Sequence, residues 1–142
     1  MFERYSEEAR RVIFFAHYEA SQSGSPLIQV PHILLGLLRQ DELLLSRFCE
    51  ISAADLRKNV ERRLIKKTDN SSSTGSPFSP PAKRVINYTQ EEADRLQHKN
   101  ILLEHILLEL LRGEDAIVNQ VLKDSGLELD TVRAKVASIE NS

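Results

Sequence analysis

The sequence repeats itself at a fixed offset of 73 residues. Residues 5–50 align with residues 78–123 without a gap, and 15 of the 46 aligned positions are identical. The longest shared run is His-Ile-Leu-Leu, found at 32–35 and again at 105–108. A repeat of this length constrains the architecture more than any local motif, because both copies must form the same supersecondary unit. The sequence therefore predicts two copies of one unit, related by a pseudo-twofold axis.

Apolar residues in both copies recur at the three- and four-residue spacing of helices, and no segment alternates as a strand does. Ser6 and Ser79 stand at matched positions before the first helix of each copy, where serine is a good N-cap. The second helices, near 31–40 and 104–113, are apolar almost all round, which predicts that both are buried. Further helices are predicted over 42–50, 52–67, 115–124 and 128–139. The predicted fold class is all-α, with two four-helix repeats packed as one compact eight-helix domain.

The predicted domain covers the whole chain of 142 residues. Repeat one extends over about 5–67 and repeat two over about 78–140, and a Ser- and Asn-rich stretch at about 68–77 is typical of a flexible linker. Each repeat has about 60 residues, a size at which a chain is only marginally stable alone. The two repeats are therefore expected to form one domain together.

Bulk composition excludes several classes of protein. The apolar fraction of 41% and the net charge of -2 are ordinary for a globular protein, and no apolar run is long enough to span a membrane. The charged start lacks the apolar region of a signal peptide, so a cytoplasmic location is expected. The single cysteine, Cys49, excludes an internal disulfide and suits a reducing compartment.

Catalytic and metal-binding signatures are missing from the sequence. It contains no Gly-x-x-x-x-Gly-Lys-[Ser/Thr] loop and no His-Glu-x-x-His pattern, so we expect neither an enzyme nor a cofactor. His32 and His105 occupy matched positions beside buried leucines, but they lack the spacing of metal ligands. A structural role, hydrogen-bonding a loop or the other repeat, is the favoured interpretation.

Six cations crowd the predicted helix at 57–67, which gives residues 1–67 a net charge of +2 against -4 for residues 68–142. Such a stripe can bind nucleic acid. No aromatic residue interleaves with it, however, and the second repeat lacks it. A solvated helix face is the favoured interpretation, with nucleic acid a weaker alternative.

The repeated motifs resemble those of a known family. Met-Phe-Glu-Arg-Tyr-Ser at the start, His-Ile-Leu-Leu-Gly-Leu-Leu from 32, Pro-Phe-Ser-Pro from 77 and the second His-Ile-Leu-Leu resemble the N-terminal Clp repeat domain of Clp chaperone ATPases, most closely the ClpC type. The resemblance implies an all-helical domain that docks protein substrates or adaptors for an AAA+ unfoldase, which feeds a Clp protease.

The resemblance also implies two sites. In ClpC-like domains the glutamate before the repeated histidine receives the guanidinium of phosphorylated arginine, and the matching residues here are Glu104 in repeat two and Pro31 in repeat one. Proline carries no charge, so at most one such site is expected. The plainer interpretation is that Glu104 only stabilises the start of its helix. The second implied site is an adaptor or peptide docking patch formed by Phe2, Arg10, Ile13 and Phe78.

Two of these aromatic positions have a local alternative. Tyr5 and Phe78 are repeat mates that precede the N-caps, so each could instead pack on its own helix as a hydrophobic staple. The staple is the favoured interpretation for Tyr5, and for Phe78 the staple and the docking patch remain equal alternatives.

The functional hypothesis is a protein-binding module that docks substrates or adaptors for a Clp-type unfoldase and protease system. The alternative is a stand-alone regulator, which would compete for Clp adaptors or associate with a Clp ATPase or protease. Because the chain carries no motor sequence, it is either one domain of a longer protein or a free Clp-repeat protein.

Overall fold

The computed structural model describes residues 2–64 and 77–139. Within these residues the chain forms seven α-helices, one 3₁₀ helix and no strand, which confirms the predicted all-α class. The first repeat contains α1, α2, the 3₁₀ helix and α3, and the second contains α4 to α7. Their bounds are α1 Glu7–Gln22, α2 Val30–Gln40, the 3₁₀ helix Leu45–Arg47, α3 Ala53–Arg63, α4 Pro80–Arg95, α5 Leu103–Arg112, α6 Ala116–Asp124 and α7 Leu129–Ala137.

The first helix of each repeat begins at the predicted serine. Ser6 Oγ accepts a hydrogen bond from the amide of Ala9 at 3.1 Å, and Ser79 Oγ accepts one from Ala82 at 3.2 Å. Each bond satisfies one of the amides that a helix start leaves without a partner, so the same local chemistry starts both helices. Ser52 caps α3 in the same way, with the amide of Asp55 at 3.2 Å.

The third helix of repeat one is the element that the sequence predicted wrongly. The structure has a three-residue 3₁₀ helix, Leu45–Arg47, in place of an α-helix over 42–50. In repeat two, Asp115 caps α6 by accepting from Val118 at 3.0 Å. The matched residue in repeat one is Glu42, a poor N-cap, and the neighbouring Asp41 bonds the Leu43 amide instead. Without a cap the segment turns tightly and does not continue as an α-helix.

Helices α2 and α5 form the centre of the core, as predicted. Ile33, Leu34 and Leu37 of α2 are fully buried, as are Leu107 and Leu108 of α5. Helix α1 packs closely on α2, α4 packs on α5, and α2 and α5 contact each other between the repeats. These two helices present almost no apolar residue to solvent, which explains their continuous apolar sequence.

The pairing of chain segments between the repeats is reciprocal. Tyr5 forms an isolated parallel bridge with Ile101, and Ile28 forms the equivalent bridge with Phe78. The two bridges are equivalent, because Tyr5 matches Phe78 and Ile28 matches Ile101 at the 73-residue offset. The flanking bonds are also matched, since the Ser6 amide donates to Ile101 O at 2.9 Å and the Ser79 amide donates to Ile28 O at 2.9 Å. Each repeat therefore supplies backbone hydrogen bonds that the other requires.

Parts of two predicted elements fall outside the described residues. These are residues 68–76 of the predicted linker and the end of the helix predicted over 52–67, for which α3 is described to Arg63. Among the helices that are described, none is both long and apolar enough to cross a lipid bilayer.

Candidate functional site

The predicted patch residues lie along one stripe of α1. Arg10, Ile13 and His17 follow each other at three- and four-residue spacing on this helix, so they share a face. Arg10 Nε donates to the backbone oxygen of Phe2 at 3.3 Å, which places Phe2 at one end of the stripe. The Phe78 ring packs edge-on against His17 with 5.5 Å between ring centroids, at the other end.

The four residues of this patch differ in exposure in a way that suits a contact surface. Phe2, Ile13 and Phe78 are half-buried and pack against the core, whereas Arg10 is exposed. The arrangement presents apolar surface with a guanidinium at its edge, and the apolar residues come from the N-terminal segment, α1 and the start of repeat two. We call Phe2, Arg10, Ile13 and Phe78 the docking patch. Such a surface can bury an apolar side chain of a partner and pair with an acidic neighbour.

The aromatic repeat mates Tyr5 and Phe78 both reach the opposite repeat. The Tyr5 hydroxyl donates to Ile86 O of α4 at 3.0 Å, and the Tyr5 ring is buried. Phe78 contacts His17 of α1. The staple hypothesis placed each aromatic on its own helix, and it missed these contacts because sequence spacing carries no information on neighbours from the other repeat. Burial raises the pKa of Tyr5 to about 12, since the ionised phenol would be poorly solvated there.

Glu104 is a nearly covered carboxylate. It is the second residue of α5, and its side chain retains 12% of its exposure. Arg47 of repeat one approaches it, with 3.5 Å between Arg47 Nη1 and Glu104 Oε2. Arg47 also pairs with Asp41 at 3.3 Å. A guanidinium from another molecule would therefore meet Arg47 beside Glu104. Pro31, at the matched position in α2, is buried and carries no ligand group.

His32 and His105 close the starts of α2 and α5 by the same hydrogen bond. His32 Nδ1 accepts the Gln29 amide at 2.9 Å, and His105 Nδ1 accepts the Leu102 amide at 2.8 Å. Both rings are buried. The expected structural role, in which each histidine hydrogen-bonds a loop, is confirmed by these contacts.

The second ring nitrogen of each histidine has a different partner in the two repeats. His32 Nε2 lies 3.2 Å from Ser23 Oγ, whereas His105 Nε2 lies 2.8 Å from His98 Nδ1. Because Nδ1 of His105 accepts, its Nε2 carries the proton and donates to His98. Burial, together with the nearby His98 and Arg4, lowers the pKa of His105 to about 4. Burial likewise lowers the pKa of His32 to about 4, against the opposing effect of Glu19.

A buried glutamate in repeat one joins three helices. Glu19 of α1 accepts from Arg57 of α3 through two bonds of 2.9 and 3.1 Å, and from Arg39 of α2 at 2.8 Å. Burial alone would raise the pKa of Glu19, but the hydrogen bonds from Arg57 and Arg39 outweigh it and lower the pKa. The pairing keeps the carboxylate ionised inside the bundle.

Repeat two contains a corresponding cluster around Glu92. Glu92 Oε1 contacts Arg133 of α7 at 2.9 Å and Arg95 at 3.0 Å, and Arg112 of α5 lies 3.9 Å away. Sequence reasoning missed both clusters. The sequence did contain a signal that could have predicted them. Glu19 matches Glu92 and Arg39 matches Arg112 at the 73-residue offset. Charged residues that are identical in both copies, within otherwise apolar stripes, indicate the same buried contact in each repeat.

The basic segment predicted over 57–67 divides into paired and exposed cations. Arg57 is turned inward onto Glu19, and Arg63 pairs with Asp124 of α6 at 3.2 Å. Lys58 and Arg62 are exposed, while Lys66 and Lys67 lie outside the described residues. Two of the predicted cations are thus paired within the protein and two are exposed to solvent, which favours the interpretation of a solvated helix face over a nucleic-acid stripe. Nor do residues 2–64 and 77–139 place three metal-ligating side chains together.

The duplicated geometry has a counterpart among known families. The model of the Clp repeat (R) N-terminal domain matches residues 4–125 and again residues 77–141. The chain belongs to the Clp N-terminal domain family. The second match, residues 77–141, has nearly the same bounds as repeat two. The family model therefore detects the same duplication as the 73-residue offset. The resemblance seen in the sequence is confirmed.

Individual relatives agree with this assignment. The chain is 35% identical over 139 residues to the chloroplastic chaperone protein ClpC of Pisum sativum, and 34% identical over 139 residues to a ClpA homologue from Guillardia theta. In both cases 96% of this chain is aligned, to 15% and 17% of the relative. The Clp domain thus spans less than a fifth of the length of these proteins. The pea relative is chloroplastic, so the expected cytoplasmic location stays a prediction.

Solved structures show the same fold. The N-terminal domain of the caseinolytic protease-associated chaperone ClpD from Arabidopsis thaliana is 30% identical, with a TM-score of 0.76 over 94% of this chain and 95% of that one. The Hsp104 N-terminal domain from Candida albicans has a TM-score of 0.77, with 96% and 91% coverage, at 22% identity. The second likeness concerns the fold alone.

Proposed function

We propose that this Clp domain docks protein substrates or adaptors for a Clp-type AAA+ unfoldase and protease. Membership of the family supports a role beside a Clp chaperone ATPase, and the lack of a nucleotide-binding loop in the 142 residues supports a binding role without ATP hydrolysis. The domain contributes recognition, and a motor on the same or another polypeptide contributes force.

The observation that carries the proposal is the docking patch. Three half-buried apolar side chains, Phe2, Ile13 and Phe78, are spread along α1, and the exposed Arg10 contacts Phe2 at one end. Half-buried aromatics lose little conformational entropy on binding, because the core already restricts them, so their remaining apolar area contributes efficiently to association. The patch also draws on both repeats, which means that it exists only when the whole domain is folded.

A phosphoarginine site at Glu104 is a second proposal from the family resemblance, and the local contacts favour a structural role for this residue. Its partner Arg47 already provides a guanidinium, and the side chain is nearly covered. A ligand guanidinium would share the Glu104 carboxylate with Arg47 or replace Arg47 there. Loss of phosphoarginine binding on Glu104→Ala, measured by calorimetry, is the result that would support the site.

The docking proposal is tested with a fluorescently labelled, permanently unfolded protein and fluorescence anisotropy. Phe2→Ala and Phe78→Ala are each expected to weaken binding at least fivefold, since truncating a central aromatic contact costs about 1 kcal/mol or more. Phe14→Ala is the matched control, because Phe14 is an aromatic of α1 that is 68% exposed and lies outside the patch.

Circular dichroism of each variant separates lost binding from lost folding. Equal affinity of the folded Phe2→Ala and Phe78→Ala variants and the wild type contradicts the proposal, and so does a larger loss with Phe14→Ala than with either of them.

A further inference from the structure

The two repeats differ at one position that decides how closely their first two helices approach. Gly36 of α2 lies against α1, where an added Cβ would be 2.7 Å from Val12 O and 2.9 Å from Ala16 N. Such distances are too short, so only glycine fits. The residue at the matched position of α5 is Glu109. A side chain of this size keeps α5 away from α4, and those two helices pack less closely than α1 and α2.

The separation leaves a groove in repeat two. It has a volume of about 560 Å³ and is lined by α4, α5, residues 113–116 and Val30 at the start of α2. Its walls combine the apolar surfaces of Val85, Leu110 and Tyr88 with the carboxylate of Glu109. At the matched position of repeat one, Gly36 lets α2 lie directly against α1. The carboxylate in the groove therefore has no counterpart in repeat one.

Glu109 enters this groove as a buried carboxylate that lacks a strong partner. The residue is 4% exposed, and its one hydrogen bond within residues 2–64 and 77–139 comes from Arg112 at 3.4 Å. Arg112 is shared, because it also lies 3.6 Å from Glu91 and 3.9 Å from Glu92. One guanidinium thus serves three carboxylates. A buried carboxylate with so little compensation favours a further cation.

The remaining charges of the groove agree with a cationic occupant. Glu114 and Asp115 add two carboxylates at the start of α6, while Arg84 of α4 is the second base in the lining besides Arg112. The apolar walls can contact the methylene stem of a long basic side chain. The Tyr88 ring already lies 5.8 Å from Arg112 Cζ, so the groove holds one guanidinium of the protein itself in this way. A short or neutral side chain would use only part of this surface.

We propose that the groove between α4 and α5 binds an arginine or lysine side chain of a protein partner, with Glu109 as the counter-ion. The inference rests on the proposed docking function and adds the chemistry of a second contact point. It distinguishes the two repeats, because the position of Glu109 in repeat one is occupied by Gly36.

Binding of a cation is expected to depend on pH. Burial, opposed by Arg112 and helped by the nearby Glu92 and Glu91, raises the pKa of Glu109 to about 7. Arg84, Glu114 and Asp115 are the other charged groups in the lining. A bound cation favours the ionised carboxylate, so binding releases a proton. With a pKa of about 7 in the free protein, affinity is expected to be about tenfold higher at pH 8 than at pH 6.

The test uses ¹⁵N NMR of the full chain, titrated with N-acetylargininamide and with N-acetylcitrullinamide, its neutral isostere. The arginine compound is expected to bind at least fivefold more tightly at pH 8, with the largest shifts at the amides of Tyr88, Leu110 and Gly113. Equal affinity for the two compounds, or shifts confined to other surfaces, overturns the proposal. These results come from the wild type and do not require any variant to fold.

Two matched variants locate the counter-ion. Glu109→Gln keeps the size of the side chain and is expected to remove both the preference for arginine and its pH dependence. Glu61→Gln, at an exposed position of α3 outside the groove, is expected to leave both unchanged. The reverse pattern overturns the assignment to Glu109. Phe2→Ala is expected to retain arginine binding, so a failure of the docking patch and a failure of this groove give different results.

Discussion

At the scale of single residues, one histidine in each repeat stabilises the start of a buried helix. His32 and His105 each accept an amide hydrogen bond at the start of a buried helix, and this bond requires the neutral ring at Nδ1. Protonation would break the bond and place a charge in the core. The two repeated histidines thus contribute to the stability of the fold. Because only the neutral ring makes this bond, the free energy of unfolding is expected to depend on pH.

The pH dependence of stability follows from the lowered pKa of His32. An unfolded histidine has a pKa near 6.5 and folded His32 has one of about 4, so between these values the unfolded state binds more protons. The free energy of unfolding therefore falls as the pH falls through this window. In His32→Asn the amide oxygen can accept the same bond but does not titrate. Between pH 7.5 and pH 5 the wild type is expected to lose about 2 kcal/mol more than this variant.

Urea unfolding at the two pH values measures this difference. Because the comparison is between wild type and variant, contributions from Glu19 and Glu109 cancel to first order. Equal losses in the two proteins would show that His32 titrates normally in the folded state.

At the scale of elements, a single cap decides whether the third segment of a repeat is an α-helix. Asp115 caps α6, and Glu42 at the matched position is followed by a 3₁₀ helix of three residues. The two segments share little sequence besides their leucine- and valine-rich character, so local capping chemistry outweighs the apolar pattern here.

Removing that cap is expected to lower stability in one repeat only. Asp115→Ala should reduce the free energy of unfolding by about 1 kcal/mol, because the Val118 amide loses its partner. Glu42→Ala is the matched control and should change stability by less than about 0.5 kcal/mol. Guanidinium unfolding followed by circular dichroism compares the two. A loss with Glu42→Ala as large as that with Asp115→Ala contradicts the capping explanation.

At the scale of the whole molecule, the repeats depend on each other for hydrogen bonds. The reciprocal pairs of Tyr5 with Ile101 and Ile28 with Phe78 cross between repeats, and so does the bond from the Tyr5 hydroxyl to Ile86 O. Helices α2 and α5 bury their apolar faces in one common core. The docking patch depends on this union, since its residues come from both halves.

Neither half is expected to fold alone. Fragments 1–67 and 77–142 should each show low helicity and no cooperative thermal transition, because each exposes half of the core and leaves crossing backbone groups unpaired. Mixing equal amounts should restore helicity. A cooperative transition in one isolated fragment would mean that this repeat is stable without its partner, and circular dichroism against temperature provides the measurement.

The sequence alone determined the repeat, the helices with strong caps, the burial of α2 and α5, and the family. Periodicity and capping act within a few residues, so they can be read from neighbours along the chain. Only the tertiary structure decided that Glu19 meets Arg57, that Arg47 approaches Glu104, and that a groove opens beside Glu109. These features depend on distances between helices far apart in sequence, and such distances are fixed by side-chain packing across the whole core.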